Sequence, residues 1–220
     1  VLKGISILLE EAGLATAAID LILHGTTLAT NALIERKGAK TAFITTEGFR
    51  DILEMGFEKR FEHYDVFLDK PEPLVPRSLR IPVIERISAR GQILLPLDTK
   101  QVEKIAEQLK AQGIEAVAIG LMHSYAYPDH ELKIRDILSK KLPDATICLS
   151  SEVCPELREY ERFSTTVLNA YIGPRMQHYL DSLMAQLDSR EFTGAIFLMA
   201  SNGGVVGPKR AAEFPVHTVL

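Results

Sequence analysis

Short apolar runs alternate with amphipathic stretches along the whole chain, and this restricts the fold more than any other feature. Leu21-Ile22-Leu23, Thr41 to Thr45, Ala116 to Met122, Ala145 to Leu149 and Ala195 to Ala200 read as strands, each too short for a helix. Between them lie helical patterns. Leu2, Ile5, Leu8 and Leu9 start one that Gly13 ends, and Leu28 to Lys37 forms another stopped by Gly38. Asp51 to Met55 is a short third. Asp98, with Gln101 three residues on, caps a fourth that Gly113 ends. In the next, Asp129 and Glu131 at the start and Lys140 and Lys141 at the end suit the helix dipole. A long helical stretch from Leu157 to Leu187 is expected to kink or split at Gly173-Pro174. Continuous apolar strands separated by helices predict an α/β fold, its mostly parallel sheet covered on both faces. Pro71, Pro73, Pro76, Pro82 and Pro96 make Phe57 to Pro96 extended chain and loops. Within it, Val83 to Ser88 and Gln92 to Leu95 flank Ala89-Arg90-Gly91 as a β-hairpin. Pro215 to Leu220 reads as one more strand.

Composition mainly excludes. With 46% hydrophobic and 25% charged residues the chain is globular, and at net charge −4 it carries no Lys/Arg run. Neither nucleic acid nor a membrane surface is an expected partner. No apolar run approaches the roughly 20 residues of a membrane span, and no signal peptide is visible. Cys148 and Cys154, the two cysteines, suit reduced thiols and a cytoplasmic location, with a single disulfide left open. The chain opens on Val1 and both ends look cut.

Ligands of open α/β sheets bind beyond the carboxyl ends of the strands. Four such ends carry polar or glycine-bearing turns: His24-Gly25-Thr26-Thr27, Thr45-Thr46-Glu47-Gly48, His123-Ser124-Tyr125 and Ser201-Asn202-Gly203-Gly204. Hydroxyls and exposed N–H groups there suit an anion or a carbonyl oxygen, although capping and turning are the commoner uses of these residue types. His24 suits proton transfer, metal binding or a structural role. Asn31, one helical turn beyond Thr27, is expected on the same side. His123, Asp129 and His130 match no standard metal motif, and no metal site is expected. Thr165, Thr166, Asn169 and Tyr171 fit packing under a ligand or hydrogen bonds between helices. No P-loop, Gly-x-Gly-x-x-Gly, His-Glu-x-x-His or Gly-x-Ser-x-Gly is present.

Several stretches together resemble one family. The longest runs His24-Gly25-Thr26-Thr27-Leu28-Ala29-Thr30-Asn31-Ala32-Leu33-Ile34-Glu35-Arg36-Lys37-Gly38. Thr45 to Asp51, His123-Ser124-Tyr125, Ser150 to Val153, Glu159 to Arg162 with Ser164-Thr165-Thr166, Asn169-Ala170-Tyr171 and Ser201-Asn202-Gly203-Gly204 follow in order. They resemble the hydantoinase A / 5-oxoprolinase family, which includes ATP-dependent N-methylhydantoinases and subunits of acetone and acetophenone carboxylases. The resemblance implies a ribonuclease-H-like, actin-like ATPase fold present in part, with an inserted α/β subdomain containing the hairpin. It also implies an enzyme that phosphorylates a cyclic-amide oxygen before ring opening, using ATP and Mg²⁺. Residues 1–160 would be the N-terminal region without its first phosphate-loop strand. Residues 161–220 would start the catalytic domain and stop before the second phosphate loop. On that reading the chain is an excised piece, inactive alone and without cofactors of its own. The resemblance places His24, Thr26, Thr27 and Asn31 on the catalytic side. Ser201, Asn202, Gly203 and Gly204 would bind substrate or nucleotide, with Arg162 and Thr165 beside them. It further implies a B-type partner subunit or fused domain. A ketone-carboxylase subunit and a non-catalytic structural or subunit-contact module are the alternatives.

Overall fold

The computed structural model describes residues 2–57, 64–67 and 71–219. Part of the loop-rich stretch expected between Phe57 and Pro96, and Leu220 of the expected final strand, lie outside the described residues. The chain forms two compact units: an inserted unit, Arg36–Pro174, and an interrupted unit made of Val1–Glu35 with Arg175–Leu220. In chain order the interrupted unit opens with α1 (Leu2–Ala12), β1 (Leu21–His24) and α2 (Leu28–Ile34). The inserted unit follows with β2 (Thr41–Thr46), α3 (Ile52–Met55), β3 (Arg80–Val83), β4 (Arg86–Ile87) and β5 (Ile93–Leu95). It continues through α4 (Thr99–Ala111), β6 (Ala116–Gly120), α5 (Asp129–Lys141), β7 (Thr146–Leu149) and α6 (Ser150–Val153). Helix α7 (Glu159–Asp188) contributes residues to both units. The interrupted unit then ends with β8 (Ala195–Met199), β9 (Val205–Val206), α8 (Pro208–Glu213) and a 3₁₀ turn over Pro215–Thr218.

In the inserted unit four parallel strands lie in the order β3-β2-β6-β7. Every residue of β2 and β6 is buried, as continuous apolar strands covered on both faces require. Ala42, Ile44, Val117 and Ile119 pack with Val102, Ile105, Leu109, Ile134 and Leu138 of α4 and α5. The other face meets α7: the Phe43 and Phe163 rings lie 5.4 Å apart, and a Cβ on Gly120 would fall 2.4 Å from Phe163. The expected hairpin is present as antiparallel β4 and β5. Asp98 caps α4 as expected, its carboxylate accepting from the Gln101 N–H at 3.0 Å. The Gln101 side chain does not return the bond; its Oε1 accepts from the Ile84 N–H instead.

The interrupted unit departs from the expected two-sided sheet. Its three strands run β1-β8-β9, with β1 and β8 parallel and β9 antiparallel. Ile22, Ile196 and Phe192 pack on Leu183, Met184 and Leu187 of α7. The opposite face leaves Leu21, Leu23, Phe197 and Met199 exposed. Apolar residues occupy both positions of the two-residue strand period here, yet one face is covered by the described chain.

Three boundaries differ from expectation. Helix α2 stops at Ile34 rather than Lys37, because Arg36 takes a left-handed φ of 55°. Helix α7 is not split at Gly173-Pro174, although the division between the units falls at Pro174. Buried Ala170, Tyr171, Ile172 and Met176 hold both sides of the proline in place, offsetting its missing N–H. Pro215 to Thr218 is a 3₁₀ turn, not a strand. Pro215 cannot donate to a ladder, and its carbonyl accepts the Thr218 hydroxyl at 2.7 Å. Among the described residues no helix is long and apolar enough to cross a membrane.

Candidate functional site

In the interrupted unit β1 and β8 run side by side in register, with His24 opposite Leu198. Their carboxyl ends therefore bring the turn Gly25-Thr26-Thr27 and the turn Ser201-Asn202-Gly203-Gly204 to the same edge of the sheet. Gly25 lies against Met199, whose Sδ would sit 3.8 Å from a Cβ there. His24 is 8% exposed. Its Nε2 lies 2.5 Å from the Tyr179 hydroxyl, the rings tilted at 36°. Burial holds the His24 pKa below its ordinary 6.5, so the ring is neutral at neutral pH. Burial also raises the Tyr179 pKa, and a hydrogen bond from the Thr26 side chain works the other way. Thr26 Oγ1 accepts from the Leu28 N–H at 3.2 Å. Thr27 makes no side-chain cap to α2; its hydroxyl accepts from the Asn31 carboxamide at 3.3 Å. Thr27 and Asn31 thus face each other, as their spacing predicts.

The second turn is built largely by local bonds. Asn202 Oδ1 accepts from the Gly204 N–H at 2.9 Å, and Gly203 adopts a φ of 84° that favours glycine. The Ser201 hydroxyl donates to the His217 carbonyl at 3.1 Å. These bonds close the β8–β9 hairpin. They account for Asn202 and Gly203 as turn-formers while keeping the turn at the sheet edge beside His24.

Arg162 and Thr165 belong to the inserted unit. Arg162 is fully buried. It donates to the Leu121 carbonyl at 3.0 Å, the Glu156 carbonyl at 2.8 Å and Ser150 Oγ at 3.3 Å. Ser150 in turn donates to Glu131 at 2.7 Å, and Glu131 also accepts from the N–H groups of Leu121 and Ser151 and from the Ser151 hydroxyl. A buried arginine and a buried glutamate are thus joined through one serine across the ends of β6 and β7. The Thr165 side chain bonds Cys154, and Asn169 Nδ2 donates to Cys148 Sγ at 3.4 Å. These bonds run to β7 and to the residue that follows α6. His130, Glu85 and Thr46 make a second buried network: His130 Nδ1 lies 2.7 Å from Glu85, and Thr46 donates to the other Glu85 oxygen while accepting from the Met122 N–H. Among the described residues no group of three or more His, Cys, Asp or Glu is placed to hold a metal ion.

Cys148 and Cys154 are free thiols, which closes the disulfide alternative. Burial pushes Cys148 up to about 11 and raises the less enclosed Cys154 as well. Iodoacetamide at mildly alkaline pH should therefore modify Cys154 at least about tenfold faster than Cys148, read by peptide mass spectrometry. Equal rates would contradict the burial.

Two residues central to these networks escaped the sequence reading. Tyr179 sits in the apolar row Met176, Leu180, Leu183 and Leu187 of α7. A lone hydroxyl in such a row needs a buried partner, which was the available signal. Glu131 was assigned to the dipole of α5, yet it shares a face with Ile134 and Leu138, and all three are buried.

Two family models match the chain. Residues 1–142 match the hydantoinase/oxoprolinase N-terminal region and residues 162–220 match hydantoinase/oxoprolinase. An uncharacterized protein of Methanocaldococcus jannaschii is 40% identical over 94% of this chain and 31% of its own length. The caprolactamase subunit alpha of Pseudomonas jessenii is 38% identical over 86% of this chain and 27% of its own. The crystal structure of an ATP-dependent caprolactamase from Pseudomonas jessenii superposes with a TM-score of 0.88 at 31% identity, covering 98% of this chain and 33% of that one. The chain spans about a third or less of the length of the relatives it matches.

Proposed function

We propose, from the fact that the chain belongs to the hydantoinase/oxoprolinase family, that it serves an ATP-dependent enzyme which activates the carbonyl of a cyclic amide for hydrolysis. An amide nitrogen is a poor leaving group. Moving the terminal phosphoryl group of ATP onto the amide oxygen gives ADP and an activated carbon that water attacks; the C–N bond then breaks with protonation of the nitrogen, and a second water hydrolyses the remaining acyl phosphate to the acid and phosphate. ATP and Mg²⁺ belong to the complete enzyme on this reading, and no step is assigned to them through the described residues. What this chain supplies is the carbonyl side of the reaction. One observation carries that reading: a buried, neutral His24 stands at the carboxyl end of β1, held by Tyr179, beside the turn that follows β8.

The family matches at 1–142 and 162–220 support a division of function near residue 160. A partner subunit and a cytoplasmic location belong to the same reading, the first supported by a relative that is itself named a subunit. In the complete enzyme, His24→Ala and Thr26→Ala should each lower ATP-dependent ring opening of a hydantoin, 5-oxoproline or lactam by at least about tenfold, with unchanged circular dichroism. Wild-type turnover in both variants would sink the catalytic reading of this turn.

A further inference from the structure

His24 and Tyr179 share one hydrogen bond, with the His24 Nε2 2.5 Å from the phenolic oxygen. A neutral imidazole nitrogen either donates or accepts, according to which nitrogen holds the proton. Of the two groups the phenolic hydroxyl is the more acidic donor and the bare imidazole nitrogen the more basic acceptor. The bond therefore runs from the Tyr179 hydroxyl to Nε2, and a neutral His24 then carries its proton on Nδ1.

We propose that Tyr179 is a positioning residue: its hydroxyl fixes His24 as the neutral Nδ1–H tautomer, so that the ring offers a hydrogen-bond donor to the ligand. This rests on the reading of His24 as a ligand-side group. Among the described residues no hydrogen bond is formed with Nδ1, the ring nitrogen not used by Tyr179. A neutral imidazole N–H suits an oxygen that gains negative charge, because it stabilises that charge without first needing to be deprotonated. The group met by Nδ1 must therefore be an acceptor, a carbonyl or phosphoryl oxygen, and not an amide N–H. His24 acts as the donor and not as a general base.

The tautomer can be read without any turnover. In histidine-labelled (¹⁵N) chain well above the His24 pKa, imidazole nitrogen shifts distinguish the protonated from the bare nitrogen, and His24→Gln identifies the signals by their loss. In the wild type Nδ1 should be protonated and Nε2 bare. Tyr179→Phe keeps the ring packing against Leu183 and Leu187 but removes the hydroxyl, and Nδ1–H should cease to be the major form. A wild-type ring protonated on Nε2, or a Tyr179→Phe chain with an unchanged tautomer, would overturn the proposal. Failure of the His24→Ala turnover prediction would leave this readout untouched, so the two readings fail separately.

Discussion

Arg162→Ala should cost the inserted unit about 3–5 kcal/mol, the range found when one partner of a buried charge pair is removed. Arg162 remains charged although burial lowers its pKa, since a guanidinium does not release its proton in a protein. Its compensation is indirect. The guanidinium is 3.9 Å from Glu159, and it reaches the fully buried Glu131 through Ser150. Alanine would leave the Leu121 and Glu156 carbonyls without these donors and Glu131 without its buried cation. Guanidinium chloride unfolding followed by circular dichroism measures the loss. Arg135→Ala is the control: Arg135 pairs with Glu152 at 2.7 Å near the surface, where such pairs contribute under about 1 kcal/mol. If Arg162→Ala cost no more than Arg135→Ala, the network would not have the role described.

Gly194→Ala should destabilise the interrupted unit by about 3 kcal/mol, the upper end of the usual overpacking cost. A Cβ at this position would lie 2.4 Å from the Ile19 carbonyl oxygen and 2.6 Å from that of Asp20. These are backbone atoms and cannot swing aside as a side chain would. The next residue, Ala195, donates to the Asp20 carbonyl at 2.8 Å and starts the pairing of β8 with β1. Relieving the clash means moving one strand off the other, on the strand that carries His24. Gly4→Ala, where nothing lies within 4 Å, should not destabilise. Matching unfolding midpoints for the two variants would refute the close approach.

Strands β1, β2, β6, β7 and β8 were legible because each is a short apolar run between turn signals, and the cap at Asp98 because it is local; β3, among the prolines, and the two-residue β9 were not. Sheet order was not legible. That β2 lies between β3 and β6, and that β1 pairs with β8, depends on which surfaces meet between segments far apart in sequence. The same holds for charges. Arg162 was expected beside the ligand-side turn; its burial follows from its bond to the Leu121 carbonyl at the end of β6, a contact 41 residues back in sequence. The turn at His24 was legible as a candidate, but its partner Tyr179 lies 155 residues further on. Pro215 to Thr218 misled because apolar, β-branched residues suit a strand, whereas the proline nitrogen and the Thr218 hydroxyl close a turn.

The insertion of residues 36–174 between the two parts of the other unit also sets an order of assembly. The inserted unit is continuous in sequence, so its sheet can close as soon as its own residues have left the ribosome. The pairing of β1 with β8 must wait until residues 195–199 have been made. Loop-closure entropy grows only slowly with length, but pairings so distant in sequence slow folding. A finished inserted unit shortens that search by replacing a long flexible tether with a folded body whose ends are fixed. Until β8 emerges, β1 is an apolar strand without its parallel neighbour, exposed to wrong partners. Of the two units, the one that carries the candidate chemistry is therefore the later to be secured during synthesis.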